Sequence, residues 1–425
     1  MKNLFVLFHL CLFAGTLTAQ PNILWAKTFG GSLDDVARAI QPTDDGGFIL
    51  AGSSQSVDGD VSGNQGEYDC WVVKLSEDGI IEWQKPLGGS GYDVARSIIQ
   101  TADGGYLMGG TTDSNDGDVS GNHGELDFWL VKLDQVGEIE WQKTLGGSSS
   151  DIITSIGQTS EGGYIVSGWS FSNDGDVSGH HGGVSGSSDI WVGKLSSTGL
   201  IEWQNSLGGS SDDNGHSIQQ TSDGGYIVAG QTSSLDGDVV GFHGTLDCWI
   251  IKLNANGQIQ WQRPLGGSGD DITYSIQQTS DGGYITAGFS RSGDGDVTRN
   301  INEGDQDFWV VKLSQRGAIQ WKKSLGGSSW DEAIAIQQTS EGGYVVVGKT
   351  ISSNKDVSVN NGYTDIWVVG LSNLGAVEWE KSLGGADDDE ARTIKQLSNG
   401  GFIIAGITYT SADLYDCYVI KLSGF

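Results

Sequence analysis

Residues 201–232 read I-E-W-Q-N-S-L-G-G-S-S-D-D-N-G-H-S-I-Q-Q-T-S-D-G-G-Y-I-V-A-G-Q-T, and residues 247–253 read D-C-W-I-I-K-L. The same pattern returns along the chain. Its marker tryptophans are Trp25, Trp83, Trp141, Trp203, Trp261, Trp321 and Trp379, at spacings of 58, 58, 62, 58, 60 and 58 residues. A fixed period of this size is the sequence mark of stacked units, each too small to bury its own apolar surface.

Each unit holds four short apolar runs separated by turn residues. Runs such as Tyr226-Ile-Val-Ala-Gly230 and Asp307-Phe-Trp-Val-Val-Lys-Leu313 are rich in β-branched and aromatic residues, the composition of strands. Turns of the type Ser-Asp-Gly-Gly supply residues that tolerate positive φ. No helical period of useful length appears. Four strands per unit and seven units predict an all-β fold, a single seven-bladed β-propeller with four antiparallel strands per blade. Strands are named a to d from the centre outward. The chain opens with a lone strand d around Trp25 and closes with strands a, b and c, the last around Tyr418. The N-terminal strand is therefore expected to complete the C-terminal blade, which removes the exposed edges of an open ring.

The motif L-G-G-S-x-x-D followed by D-G-G-Y-I-V-x-G-x-T resembles the bacterial secreted β-propeller-repeat family of Bacteroidota type. The resemblance spans the seven units. It implies the propeller fold and an exported setting, and it implies little about the ligand.

Residues 1–19 differ from the rest. Lys2 precedes an apolar run from Leu4 to Phe13, and Leu17-Thr18-Ala19 forms a small-residue cleavage site. This reads as a signal peptide, leaving residues 20–425 as the propeller, exported to the periplasm, cell surface or medium. The formal net charge is −31, a field that repels nucleic acid and anionic membrane. No membrane insertion is expected, and the chain is expected to act as a monomer. Cys70, Cys248 and Cys417 share one repeat position with Phe and Ile in other units. They are read as apolar packing residues that form no disulfides.

An aspartate stands ten residues after each marker tryptophan, from Asp35 to Asp389. Seven-fold repetition argues for a turn-capping role, since a reaction centre needs distinct groups. The b–c loops carry a sharper pattern. Asp58, Asp60, Ser62 and Asp69 in the first unit, and Asp116, Asp118, Ser120 and Asp127 in the second, follow D-x-D-x-S-G with a later acid. Alternating oxygens around a tight glycine turn suit Ca²⁺; the competing reading is a set of Asx-turns closing a polar loop.

One repeat position is asymmetric. Thirteen residues after each marker tryptophan stand Arg38, Arg96, Thr154, His216, Tyr274, Ile334 and Arg392. Strand a is innermost, so this position is expected near the central channel. Arg38, Arg96 and Arg392 fall in consecutive blades and would form a basic arc suited to carboxylate or phosphate, unless each pairs with an acid such as Asp34 or Glu390. Trp169 and Trp330 break the tryptophan pattern, and Trp330 is a candidate stacking surface for a sugar. The chain lacks G-x-S-x-G and H-E-x-x-H motifs. The function expected is a non-enzymatic binding or scaffolding module for a glycan or protein partner. The alternative is a polysaccharide-active enzyme whose channel would use His216, Tyr274 and Arg38.

Overall fold

The computed structural model describes residues 20–182, 186–297, 305–410 and 414–424; the expected signal peptide lies outside them. The strands form seven sheets of four antiparallel strands each. In blade one, strands a to d are Asp35–Pro42, Phe48–Ser54, Asp69–Leu75 and Ile81–Leu87. The other blades repeat this order, and the seven sheets make up a seven-bladed β-propeller. No helix among the described residues is long and apolar enough to cross a membrane.

Ring closure follows the expected route. Strand d of blade seven is Ile23–Phe29, hydrogen-bonded to strand c, Leu414–Leu422, with Ala26 opposite Ile420. The two ends of the chain therefore share one sheet, and strand c of blade seven is covered by a fourth strand as in the other blades.

Alternation along strands b and c fixes how blades pack. In blade one, Trp71, Val73 and Leu75 face Ile403, Ala405, Cys417 and Val419 of blade seven. Cys70 and Val72 point the other way, onto Met108, Trp129 and Val131 of blade two. A strand buried on both faces reads as an unbroken apolar run, which is why D-C-W-V-V-K-L carries so little polarity. Each strand-d tryptophan meets the ring that opens strand b of the next blade, as Trp83 does with Tyr106 at 5.8 Å. Cys70, Cys248 and Cys417 are buried and free.

The recurring aspartates cap turns, as the sequence suggests. Asp35 Oδ2 accepts from the Gly31 amide at 2.7 Å and from the Ser56 hydroxyl at 2.8 Å. Asp213 does the same with Gly209 at 2.8 Å and Ser234 at 2.7 Å. Each cap also packs beside the aspartate that opens strand c of the preceding blade. A Cβ placed on Gly208 would lie 2.5 Å from Asp213 Oδ2 and 2.8 Å from Asp189 Oδ1. Burial therefore raises the Asp213 pKa to about 6; hydrogen bonds from Thr232, Ser234 and Gly209 oppose the rise, and Asp189 adds to it.

A carboxyl whose pKa is raised on folding stabilises the fold fully below its unfolded value, and that contribution is lost as pH climbs to the folded value. Asp213→Asn keeps an acceptor for Gly209 and Ser234 without the buried charge. At pH 7.5 the variant is expected to be more stable than the parent by roughly 2 kcal/mol. Denaturant melts should show that gain shrinking between about pH 6 and pH 4.

Candidate functional site: the central channel

The innermost strands line the channel, and each carries a β-bulge at the same place. In blade one Ala37 faces Gly52 and Ala39 faces Ala51, so Arg38 has no cross-strand partner. The same shift isolates Arg96, Thr154, His216, Tyr274, Ile334 and Arg392. A bulge re-aims the side chain of the extra residue. The glycine in Y-I-V-A-G makes it possible. A Cβ on Gly52 would sit 1.7 Å from the Val36 carbonyl oxygen, so only glycine lets strand b approach the bulged backbone.

The ring of bulge residues divides into two halves. Blades seven, one and two contribute Arg392, Arg38 and Arg96. Arg392 meets Glu390 at 2.8 Å, and Lys349 bridges Glu390 and Glu332 at 3.3 Å each. Those two cations and two acids balance. Arg38 and Arg96 form no ion pair or hydrogen bond among the described residues, and their Nε atoms are buried without a partner. Burial, then repulsion from Arg96 and Arg392, holds the Arg38 pKa down to about 10. Burial also lowers Arg96, with Arg392 adding to the effect and Tyr92 opposing it. Both stay charged at neutral pH. Three residues along strand a from the bulge, about 10 Å at the usual rise, Lys395 is half-buried and its pKa is lowered by burial.

Blades three to five supply rings. His216 lies edge-on to Trp169 at 5.8 Å and against Tyr274 at 5.1 Å; Tyr274 reaches Phe289 at 6.2 Å. Burial lowers the His216 pKa to about 4, with Gln231 opposing and Arg96 assisting, so the ring is neutral at pH 7. Burial and Glu332 push the Tyr274 hydroxyl pKa up. The channel thus sets surplus positive charge against an aromatic wall, inside a protein of net charge −31.

Arg38, Arg96, Arg392, His216 and Tyr274 therefore share one ring. Trp330 lies elsewhere, on the rim, 55% exposed, with the Arg291 guanidinium 5.9 Å from its ring. The pairing of Arg392 with Glu390 is the alternative the sequence offered for the arc; Trp169 was noted only as a break in the tryptophan pattern, and Phe289, Lys349, Glu332 and Lys395 were not among the sequence candidates. Trp169, Phe289 and Lys349 share the sixth position of strand b, which varies from Ser53 to Ile407 while its neighbours repeat. That variability was the available signal.

The b–c loops clasp the d–a loops of their own blades. Asp58 Oδ1 accepts from the Ser32 amide at 2.8 Å, Asp60 Oδ2 from Gly30 at 3.3 Å, and Ser62 Oγ from Gln84 at 2.6 Å. Asp69 Oδ2 accepts from Gln65 at 2.8 Å. In blade two, Asp116 and Asp118 accept from Ser90 and Gly88 at 2.7 and 3.3 Å, Ser120 from Gln142, and Asp127 from His123 at 2.8 Å. Among the described residues no three acid, histidine or cysteine side chains converge on one point that could hold a metal ion.

No family model matches the chain. A curated relative, the regulatory protein FlaEY of Caulobacter vibrioides, is 27% identical over 183 residues, 41% of this chain and 19% of that protein. The chain thus matches about a fifth of that relative's length. Solved structures to which the chain is similar include the Neurospora crassa Pan2 WD40 domain, at TM-score 0.48 and 10% identity, covering 93% of this chain and 95% of that one. A Dyadobacter fermentans protein of unknown function has TM-score 0.47 and 11% identity, with 95% and 99% coverage. A DUF4221 protein of Bacteroides vulgatus has TM-score 0.40 and 9% identity, with 96% and 99% coverage.

Gly52→Ala tests the dependence of the arc on the bulge. Overlap of the new Cβ with the Val36 carbonyl is expected to cost about 3 kcal/mol. A cysteine-free background carrying a single reporter in place of Arg38 should show a changed environment in the same variant. A melt within about 1 °C of the parent would contradict the proposed role of the glycine.

Proposed function

We propose that the protein is an exported, non-enzymatic binding module of the bacterial secreted β-propeller-repeat type, whose channel receives an acidic sugar residue of an extracellular or envelope glycan. The observation that carries the reading is the pair Arg38 and Arg96, half-buried, charged and without acids, opposite the Trp169–His216–Tyr274 wall. A carboxylate or sulfate offers a guanidinium two acceptors in one plane. Aromatic faces supply the flat apolar contact that a sugar ring needs. Lys395 adds a further cation deeper in the channel for a chain bearing more than one acidic group.

The enzymatic alternative draws on His216, Tyr274 and Arg38. His216 titrates at about 4 and is wedged between two rings, a poor arrangement for proton transfer near neutral pH. This favours binding over catalysis.

A glycan array read at low and high salt tests the proposal. Acidic glycans should be retained over neutral ones, more strongly at low salt. Arg38→Ala and Arg96→Ala should each weaken binding about tenfold or more, the scale of one lost charged hydrogen bond, with melting temperatures close to the parent. Unchanged binding in a destabilised Arg38→Ala protein would assign the arginines to the fold instead.

Calcium in the first two b–c loops is a separate part of the proposal. The support is the D-x-D-x-S-G spacing of these two loops; the buried Oδ1 of Asp69 and Asp127 without a protein donor recurs at Asp189, Asp247 and Asp365 and does not single them out. Millimolar Ca²⁺ should raise the melting temperature by linkage and EDTA should reverse it. A flat calorimetric titration together with no EDTA effect would remove calcium from the account.

A further inference from the structure

The residue before each cap aspartate ends the d–a loop at the mouth of the channel. It is an acid in four blades (Asp34, Asp212, Asp270 and Asp388), Ser150 in blade three, Tyr92 in blade two and Trp330 in blade six. Trp330 stands four residues before Ile334, the bulge residue of its blade, or about 13 Å along the strand at the usual rise. The two aromatic members differ. Tyr92 is half-buried and lies edge-on to Tyr68 at 5.4 Å, whereas more than half of the Trp330 surface is open to solvent.

Trp330 is nevertheless held in place. Its carbonyl accepts from the Ile351 amide at 3.0 Å, and the Arg291 guanidinium lies 5.9 Å from its ring. The same guanidinium lies 5.9 Å from the Phe289 ring. Arg291 is itself fixed, since Nη1 donates to Asp270 Oδ2 at 3.0 Å and its amide to the Asp270 carbonyl at 2.9 Å. Phe289 in turn meets Tyr274 in the channel at 6.2 Å. The aromatic wall therefore does not stop inside the channel. It climbs from Tyr274 over Phe289 and Arg291 to Trp330 on the rim, as one run of flat groups in contact.

Building on the channel reading above, we propose that the ligand is an oligosaccharide whose acidic end lies at Arg38 and Arg96 and whose neutral units leave the channel along this run, an outer sugar stacking on Trp330. Aromatic rings carry much of the contact energy where they meet a ligand, and the cation beneath the indole steadies it. Charge sets the polarity of the chain. Arg291 is neutralised by Asp270, so the rim adds stacking without surplus positive charge. Asp34, Asp212 and Asp388 stand at the equivalent position in other blades and repel further anionic units there.

Isothermal titration of the full chain tests this with two probes, glucuronate and a xylotriose carrying one glucuronate at its non-reducing end. The longer probe should bind at least about fivefold more tightly, the scale of one stacked ring. Trp330→Ala should remove that gain, leave the affinity for glucuronate unchanged and melt close to the parent. Trp330→Phe should keep much of the gain, and Tyr92→Ala all of it. A gain that survives Trp330→Ala, or that is lost in Tyr92→Ala instead, would overturn the path over Trp330. Equal affinity of the two probes for the parent would overturn it while leaving the arginine site standing. Binding of neither probe would place the failure at the arginines, and the path would fall with them.

Discussion

Burial of every blade on both faces is the constraint from which the rest follows. Strands b and c of blade one are buried along their whole length, with one set of side chains committed to blade seven and the alternate set to blade two. Interiors packed at crystal-like density tolerate little variation. A residue that changes there must fit two neighbours at once. Chemistry is therefore confined to the inner edge of strand a, the tip of strand b, the loops and the ends of the interblade layers. The near-identity of the repeats and the position of the variable residues have one cause.

The charge distribution follows the same division. Acids crowd the loops and turns, where most are bonded to backbone amides or capped hydroxyls. The aspartate caps are the exception that packing creates. Seating a cap beside the strand-c aspartate of the preceding blade brings two carboxyls together behind a glycine, and burial holds the proton of caps such as Asp213 and Asp151 on to higher pH. The channel has the opposite sign. Arg38 and Arg96 stay charged in half-buried places where no acid among the described residues pairs with them. An uncompensated charge in such a place is costly, which is the physical ground for assigning it a ligand.

Much of this was legible in the sequence. The marker tryptophans and the D-G-G-Y-I-V runs determined the blade count and strand number, because packing identical units requires identical core residues at a fixed period. The lone strand around Trp25 determined the closure. The equivalence of Arg38, Arg96 and Arg392 also followed from period alone, as did the apolar character of Cys70, Cys248 and Cys417. Gly370 was visible as the exception among the strand-c lysines, without an indication that the Trp379 indole packs over it.

Tertiary structure decided what period cannot express. The β-bulge turns Arg38 and its equivalents into the channel, and it depends on the distance between the Gly52 α-carbon and the Val36 carbonyl. Arg392 found Glu390 while Arg38 found no acid among the described residues, a difference set by which side chains the ring brings around the axis. The D-x-D-x-S-G loops show the limit most clearly. Asp58 and Asp60 turn back on the preceding d–a loop, whereas Asp69 packs at the next blade, beside Gly88 and Asp93. Spacing along a chain places such residues within reach of one another. Only the packing of one blade on the next decides which carboxylates share a neighbour, because those contacts join residues of different repeats.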